Sequence, residues 1–176
     1  MTAETQNQRP LNVLFLCTGN SARSIIAEAV LNTIGKGKFK AYSAGSMPNG
    51  QINPYVAEFL EMEGFNLSNF SSKSWDVFAE GKSQVDFDFV ITVCDNAAGE
   101  VCPMWPGQPI TAHWGMPDPA AQETPEATRK VVRDVFHALS RRLGILTCLP
   151  FDRLSRLALE KETRDLAHLK SEPSAE

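Results

Sequence analysis

The spacing of apolar positions changes repeatedly along the chain, and each change predicts an element. Asn12–Leu16 is a short, largely apolar run, the pattern of a buried strand. From Ser24 to Ile34 the spacing becomes helical, with Ile26, Val30 and Ile34 on one face, and Gly35 and Gly37 end it. Phe39–Ser43 reads as a second strand. Asn53 offers an N-cap with Pro54 at the first helical position, and Val56, Phe59, Leu60 and Glu63 carry that helix to Gly64. Ser74–Glu80 has room for a shorter helix, and Phe87–Val93 is the most β-like run of all. Residues 95–109 hold Gly99, Pro103, Pro106, Gly107 and Pro109 and read as a loop that can begin helically. Ile110–Trp114 is a fourth strand. Thr124-Pro125 opens a helix whose inner face is Val132, Phe136, Leu139 and Leu143, and Leu149-Pro150 interrupts it. Arg153–Leu169 reads as a last amphipathic helix before a frayed tail.

Strands alternating with helices imply an α/β fold, a three-layer sandwich around a four-stranded parallel sheet covered on both faces. The expected organisation is a mobile arm over residues 1–10, one domain over 11–150, and a C-terminal helix and tail over 151–176. In such sheets ligands bind beyond the carboxyl ends of the strands. Cys17, Cys94 and Asp118 all follow predicted strands, so three distant parts of the sequence converge on one place.

Composition narrows the function. The chain has 176 residues, 43% apolar and 22% charged, and a formal charge of −4. No basic block stands out, which argues against nucleic acid and anionic membranes as partners. An anionic substrate must then be held by local fields. No apolar run is long enough to span a bilayer, and Met1–Pro10 lacks the apolar stretch of a signal peptide, so a cytoplasmic protein is expected. Four cysteines in a reducing compartment call for catalysis, metal binding or plain burial.

The segment Cys17-Thr18-Gly19-Asn20-Ser21-Ala22-Arg23-Ser24 lies between a predicted strand and a predicted helix. A tetrahedral oxyanion spreads its charge over several oxygens and needs many donors with little bulk. Small residues running into a helix N-terminus supply backbone N–H groups and positive potential. Arg23 adds a planar fork for two oxygens, and Ser24 can donate to the sulfur. The same groups favour a thiolate at Cys17. No Gly-Lys-Ser/Thr follows the glycine, so this is not a Walker-type nucleotide loop. The plain alternative is a buried cysteine at a strand end beside a surface arginine.

Val13 through Ser24, with Ala27-Glu28 after it, resembles the low-molecular-weight tyrosine phosphatase fold and, more narrowly, the arsenate reductases built on it. Ser43-Ala44-Gly45 and His113-Trp114-Gly115-Met116-Pro117-Asp118-Pro119 match as well, and the resemblance covers roughly residues 11–150. It implies that Asn20 and Ser43 hold the loop in shape and that Asp118 is the general acid. It also implies a three-sulfur relay in which Cys17 attacks arsenate, Cys94 attacks Cys17, and Cys102 attacks Cys94. Arsenate is then the substrate, phosphate and sulfate are competing oxyanions, and thioredoxin is the expected reductant, with glutathione- or mycothiol-type coupling left open. No cofactor or metal is expected. Cys94, Cys102 and His113 lack the paired spacing of a zinc site.

Eight residue steps separate Cys94 from Cys102. If helical, they would lie about 12 Å apart, whereas a disulfide tolerates no more than about 7 Å between Cα atoms. Any helix there must therefore unwind during turnover. Tyrosine phosphatases of the family usually carry tyrosines after the acid, but Ala120 and Ala121 stand here, which disfavours an aromatic substrate. A phosphatase acting on phosphotyrosine or phosphoarginine remains the alternative. Some relatives bind potassium through residues resembling Asn20, Glu28 and Ser43 plus an aspartate. Near that fourth position this chain has Ser72-Lys73, so Glu28 is expected to pair with Lys73. Cys148 reads as core, His113 as structural, and His137 and His168 as helix-surface residues.

Overall fold

Parallel pairing of the apolar runs builds the sheet. In the computed structural model, which describes residues 9–79, 81–100 and 103–169, β1 (Leu11–Cys17) and β2 (Phe39–Gly45) pair along their whole length, with Leu11 opposite Phe39 and Cys17 opposite Gly45. β3 (Phe89–Thr92) lies on the other side of β1, with Leu16 opposite Thr92, and β4 (Ile110–His113) pairs with β3. The order is β2-β1-β3-β4 and every pair is parallel. Parallel neighbours need long crossovers. These contain α1 (Arg23–Ile34), α2 (Pro54–Met62) and the short α3 (Asp95–Gly99); α4 (Pro125–Thr147) and α5 (Arg156–Asp165) follow the sheet. Asn53 caps α2 as the sequence suggests, its Oδ1 accepting from Tyr55 N at 2.9 Å.

Alternation along β1 divides the core in two. Val13, Phe15 and Cys17 face α1 and α4, together with Ile91, Val93, Val132, Val135 and Leu139. Leu14 and Leu16 face the other way, under Trp75, Phe87 and Val90. Among the described residues, no long helix packs on the cluster of this second face. A 3-10 turn at Trp75–Phe78, where a short helix is expected over Ser74–Glu80, lies there with edge-on aromatic rings, Trp75 against Trp105 and Phe78 against Phe87. Glu80 itself lies outside the described residues.

Several expectations shift. Ile34 is exposed rather than on an inner face, while Ser24 through Leu31 are buried all round, because α1 is wedged between the sheet and α4. Cys148 is exposed, not core: it is the C-cap of α4, which ends at Thr147, just before the expected interruption at Leu149-Pro150. Phe136 is only partly buried and packs edge-on against Phe59. The last helix is shorter than its pattern, spanning Arg156–Asp165 with a 3-10 turn at Leu166–His168. It packs beside β4, where Trp114 Nε1 donates to Thr163 O at 2.9 Å. His137 and His168 are exposed as expected. Residues 1–8 of the expected arm and the expected tail 170–176 lie outside the described residues. No helix among those described is long and apolar enough to cross a membrane.

Candidate active site

The oxyanion loop is shaped from outside. Thr18 O accepts from Met47 N at 3.0 Å, Gly19 O from Asn49 N at 2.9 Å, and Ser21 O from Asn53 N at 2.8 Å. A trans peptide points its C=O and N–H in opposite directions. Tying these carbonyls outward therefore turns the intervening N–H groups inward, and Asn20 N–H reaches Cys17 Sγ at 3.2 Å. α1 begins at Arg23 with no side-chain cap at Ala22 and no acid in its first turn. Its first amides and the positive end of its dipole are thus left for an anion.

Asn20 governs the curvature. It is fully buried in the left-handed region, φ 43°, which asparagine tolerates better than most residues. Its Nδ2 donates to Ser24 Oγ at 2.8 Å, and its Oδ1 accepts from Lys73 N at 2.8 Å. Because Ser24 Oγ already accepts from Asn20, its own proton is free for Cys17 Sγ, 2.9 Å away. Cys17 Sγ thus lies within hydrogen-bond reach of both the Ser24 hydroxyl and the Asn20 N–H.

Below the loop, buried Glu28 and part-buried Lys73 do not form the expected direct ion pair but act on each other through their charges, each bonded to Ser43. Ser43 Oγ donates to Glu28 Oε2 at 2.6 Å, while Lys73 Nζ donates to Ser43 O at 3.0 Å and to Ser71 O at 2.7 Å. Burial pushes the Glu28 carboxyl above its usual range, opposed by the Ser43 bond and the Lys73 charge. Burial lowers Lys73, opposed by Glu28. Ser43 does not touch the loop directly: its carbonyl accepts from Lys73 Nζ, and the Lys73 backbone N–H donates to Asn20 Oδ1. A raised carboxyl means that the folded chain holds this proton more tightly than the unfolded one. That stabilisation is complete below the unfolded value of 4.5 and is lost as pH rises through the folded value. Glu28→Gln should therefore gain stability relative to the wild type as pH climbs through this window. Urea midpoints measured across it test this, and a difference independent of pH would contradict it.

Arg23 and Asp118 meet at the mouth. Arg23 NH1 donates to Met116 O at 3.2 Å, and its NH2 lies 3.6 Å from Asp118 Oδ2. Asp118 caps a 3-10 turn at Pro119–Ala121, its Oδ1 accepting from Ala120 N at 2.9 Å, which fixes a half-exposed carboxyl beside the loop. Met116 N bonds to Val93 O, so the turn that carries the aspartate continues the β3–β4 alignment. Arg23→Lys keeps the charge and loses the fork. Phosphate affinity should fall by about ten- to a hundredfold, the worth of one charge-assisted bond, as read by competitive inhibition or calorimetry.

Cys94 lies against the same loop. It is buried, and its Sγ accepts from Thr18 N at 3.3 Å and Ala97 N at 3.4 Å, with Thr18 Oγ1 at 3.7 Å. Thr18 Oγ1 also donates to Glu100 Oε1 at 3.4 Å. Cys102 lies outside the described residues. No group of three or more His, Cys, Asp or Glu able to hold a metal ion occurs among the described residues.

The profile of the low molecular weight phosphotyrosine protein phosphatase family matches residues 12–156. The chain belongs to this family. An arsenate reductase of Bacillus anthracis is 37% identical over 122 residues, 69% of this chain and 85% of its own. Among solved structures, an arsenate reductase in the phosphate binding state is similar with a TM-score of 0.60 and 27% identity, covering 77% of this chain and 98% of that one. The thioredoxin-dependent arsenate reductase of Corynebacterium glutamicum gives 0.57 and 28%, covering 80% and 63%. The four-stranded parallel sheet with its helices is thus the fold of low molecular weight phosphatase-like arsenate reductases.

In this phosphatase-family chain the fold brings Cys17 through Ser24, Cys94 and Asp118 to one end of the sheet. It also recruits residues to which sequence reasoning gave no role. Gly45 lies so close to the loop that a Cβ there would meet Thr18 O at 2.4 Å and Cys17 O at 2.9 Å. Asn49 Nδ2 donates to Ser21 Oγ, and Ser72 Oγ donates to Gly19 O. Gly45 left a trace as part of the Ser43-Ala44-Gly45 match, and Ser72 only as the neighbour of Lys73. Asn49 and Ser72 are otherwise ordinary loop residues whose contacts depend on what packs against them.

Proposed function

We propose that this protein reduces arsenate to arsenite. The Cys17 thiolate attacks arsenic, displacing an oxygen that leaves as water with a proton from Asp118, while Arg23 and the inward amides hold the remaining oxygens. The Cys94 thiolate then attacks Cys17 Sγ. The new S–S bond forms as the S–As bond breaks, and that electron pair stays on arsenic. Two thiols lose two electrons and arsenic gains two. Cys102 next attacks Cys94 Sγ, releasing the Cys17 thiolate, and an external dithiol of the thioredoxin class reduces the Cys94–Cys102 disulfide. Free thiols in this role suit a cytoplasmic setting.

The observation that supports the relay most directly is the seat of Cys94. Its sulfur rests on the N–H of Thr18, the residue after the proposed nucleophile. Leu16 pairs with Thr92, so Cys17 and Cys94 leave adjacent strands one residue out of step. Neighbouring strands are about 4.8 Å apart, within the roughly 7 Å that a disulfide spans. Reduction needs this second sulfur, whereas in a phosphatase it would serve only to protect Cys17 from over-oxidation.

Arsenate, thioredoxin, thioredoxin reductase and NADPH make the test. Arsenate-dependent NADPH oxidation is expected; its absence alongside hydrolysis of p-nitrophenyl phosphate would replace reduction by phosphatase activity. Cys102→Ser should allow one turnover and then stop with a Cys17–Cys94 disulfide. Unimpaired multiple turnover would point to glutathione-type coupling.

A further inference from the structure

Cys94 is flanked by two residues bound to a single imidazole. His113, at the end of β4, has Nδ1 2.7 Å from Thr92 Oγ1 and Nε2 2.8 Å from Asp95 Oδ1. Thr92 ends β3 two residues before Cys94, and Asp95 opens α3 immediately after it. A neutral ring with Nε2–H donates to the carboxylate and accepts the threonine hydroxyl, whereas an imidazolium donates on both sides. The chain Thr92–His113–Asp95 therefore closes in either protonation state. Gly115 leaves the space for it: a Cβ at that position would stand 3.0 Å from Asp95 Oδ1 and 3.3 Å from His113 Nε2.

We infer that His113 is a positioning residue for the second sulfur: it latches the first turn of α3 to β4 so that Cys94 stays docked on the oxyanion loop. This rests on the relay proposed above. Two demands act on the segment after Cys94. Its sulfur must stay beside Cys17 for the first disulfide, yet the residues beyond must rearrange to bring Cys102 in. A fixed point at Asp95 reconciles them. With Asp95 held, Ala97 N–H remains aimed at Cys94 Sγ, and residues after the first turn can unwind without carrying Cys94 away. The extended backbone at Glu100, which ends α3 after a single turn, fits a segment that comes apart from its far end.

The latch acts on the Cys94 step: among the described residues the bonds of His113 run to Thr92 and Asp95, not to Cys17, Arg23 or Asp118, and serve neither the first attack nor the acid. Its effect is modest. The two side chains are 39% and 91% exposed, and exposed pairs of this kind are weak.

Single-turnover kinetics test this in a Cys102→Ser background, with reduced protein mixed with arsenate, quenched by an alkylating reagent, and the Cys17–Cys94 disulfide followed by mass. His113→Ala is expected to slow disulfide formation by about fivefold, the range of an exposed ion pair. Asp95→Ala should slow it equally, and the double variant no further, since both remove one interaction. His113→Gln, whose amide can still donate to Asp95, should recover most of the rate. Hydrolysis of p-nitrophenyl phosphate, which does not need Cys94, should stay within about twofold of wild type for His113→Ala. A disulfide rate equal to wild type overturns the latch, as do additive single effects or a parallel loss of hydrolysis, which marks general loosening. A Cys102→Ser chain with His113 intact that forms no arsenate-dependent disulfide overturns the relay itself, and the latch with it.

Discussion

Cys94→Ser is expected to abolish arsenate turnover while leaving an oxyanion site in place. Without a second thiol, the adduct at Cys17 has no internal route to release arsenite, because the electron pair must come from a sulfur that can form an S–S bond. Serine keeps the hydrogen-bonding shape but cannot do this. The rate of arsenite formation should fall by about a thousandfold or more, as when a covalent nucleophile is removed. Phosphate affinity should change by less than about tenfold, the worth of the one bond that Thr18 N makes to this sulfur. Coupled NADPH oxidation measures the first quantity and phosphate inhibition the second. Appreciable arsenite formation by Cys94→Ser would remove Cys94 from the relay. A collapse of both quantities together would make it a structural residue.

Gly45→Ala should also damage the site, although the added group is a single methyl. The new Cβ meets Thr18 O and Cys17 O, both backbone, and Asn20 Cβ at 3.0 Å. No side chain can swing aside. The loop must move away from β2 by roughly an ångström, straining the end of the β1–β2 pairing, where Cys17 faces Gly45, and the bond from Gly45 N to Lys73 O. Overpacking of this kind costs about 1–3 kcal/mol, and in a chain of this size Tm should fall by about 5 °C. A displacement of about 1 Å in reacting groups costs about a hundredfold in rate. Thermal melts and arsenate-dependent kcat/KM read the two effects separately. An alanine variant with wild-type Tm and wild-type kcat/KM would show that the loop is softer than its packing implies.

Much of this site was legible in one dimension because it is local. Cys17 through Ser24 are contiguous, and a strand, a tight loop of small residues and a helix N-terminus already define an anion cradle. The strand order was not legible in the same way. β1 lies between β2 and β3, and only that placement sets Cys94 beside the loop. Cys148 misled because Leu146 and Leu149 flank it, yet the end of α4 turns it outward. Ile34 misled for the opposite reason. α1 is buried on nearly every side, so the periodicity of its apolar residues does not select one inner face. His113 was read as structural, which is true of its bonds but silent about the residues they fasten on either side of Cys94.

The sequence by itself determined the chemistry on offer: a nucleophilic sulfur, an arginine fork, an aspartate between prolines, and further cysteines at a spacing that forbids a disulfide across an intact helix. These depend on residue identity and short-range geometry, which a linear pattern contains. The tertiary structure decided who supports whom. It tied Thr18, Gly19 and Ser21 outward through Met47, Asn49 and Asn53, placed Lys73 under Asn20, and joined Thr92 to Asp95 through His113. Those pairings link residues up to 53 positions apart, as from Asn20 to Lys73. They exist only because hydrophobic burial on both faces of one sheet brings the loops at the carboxyl ends of its strands together.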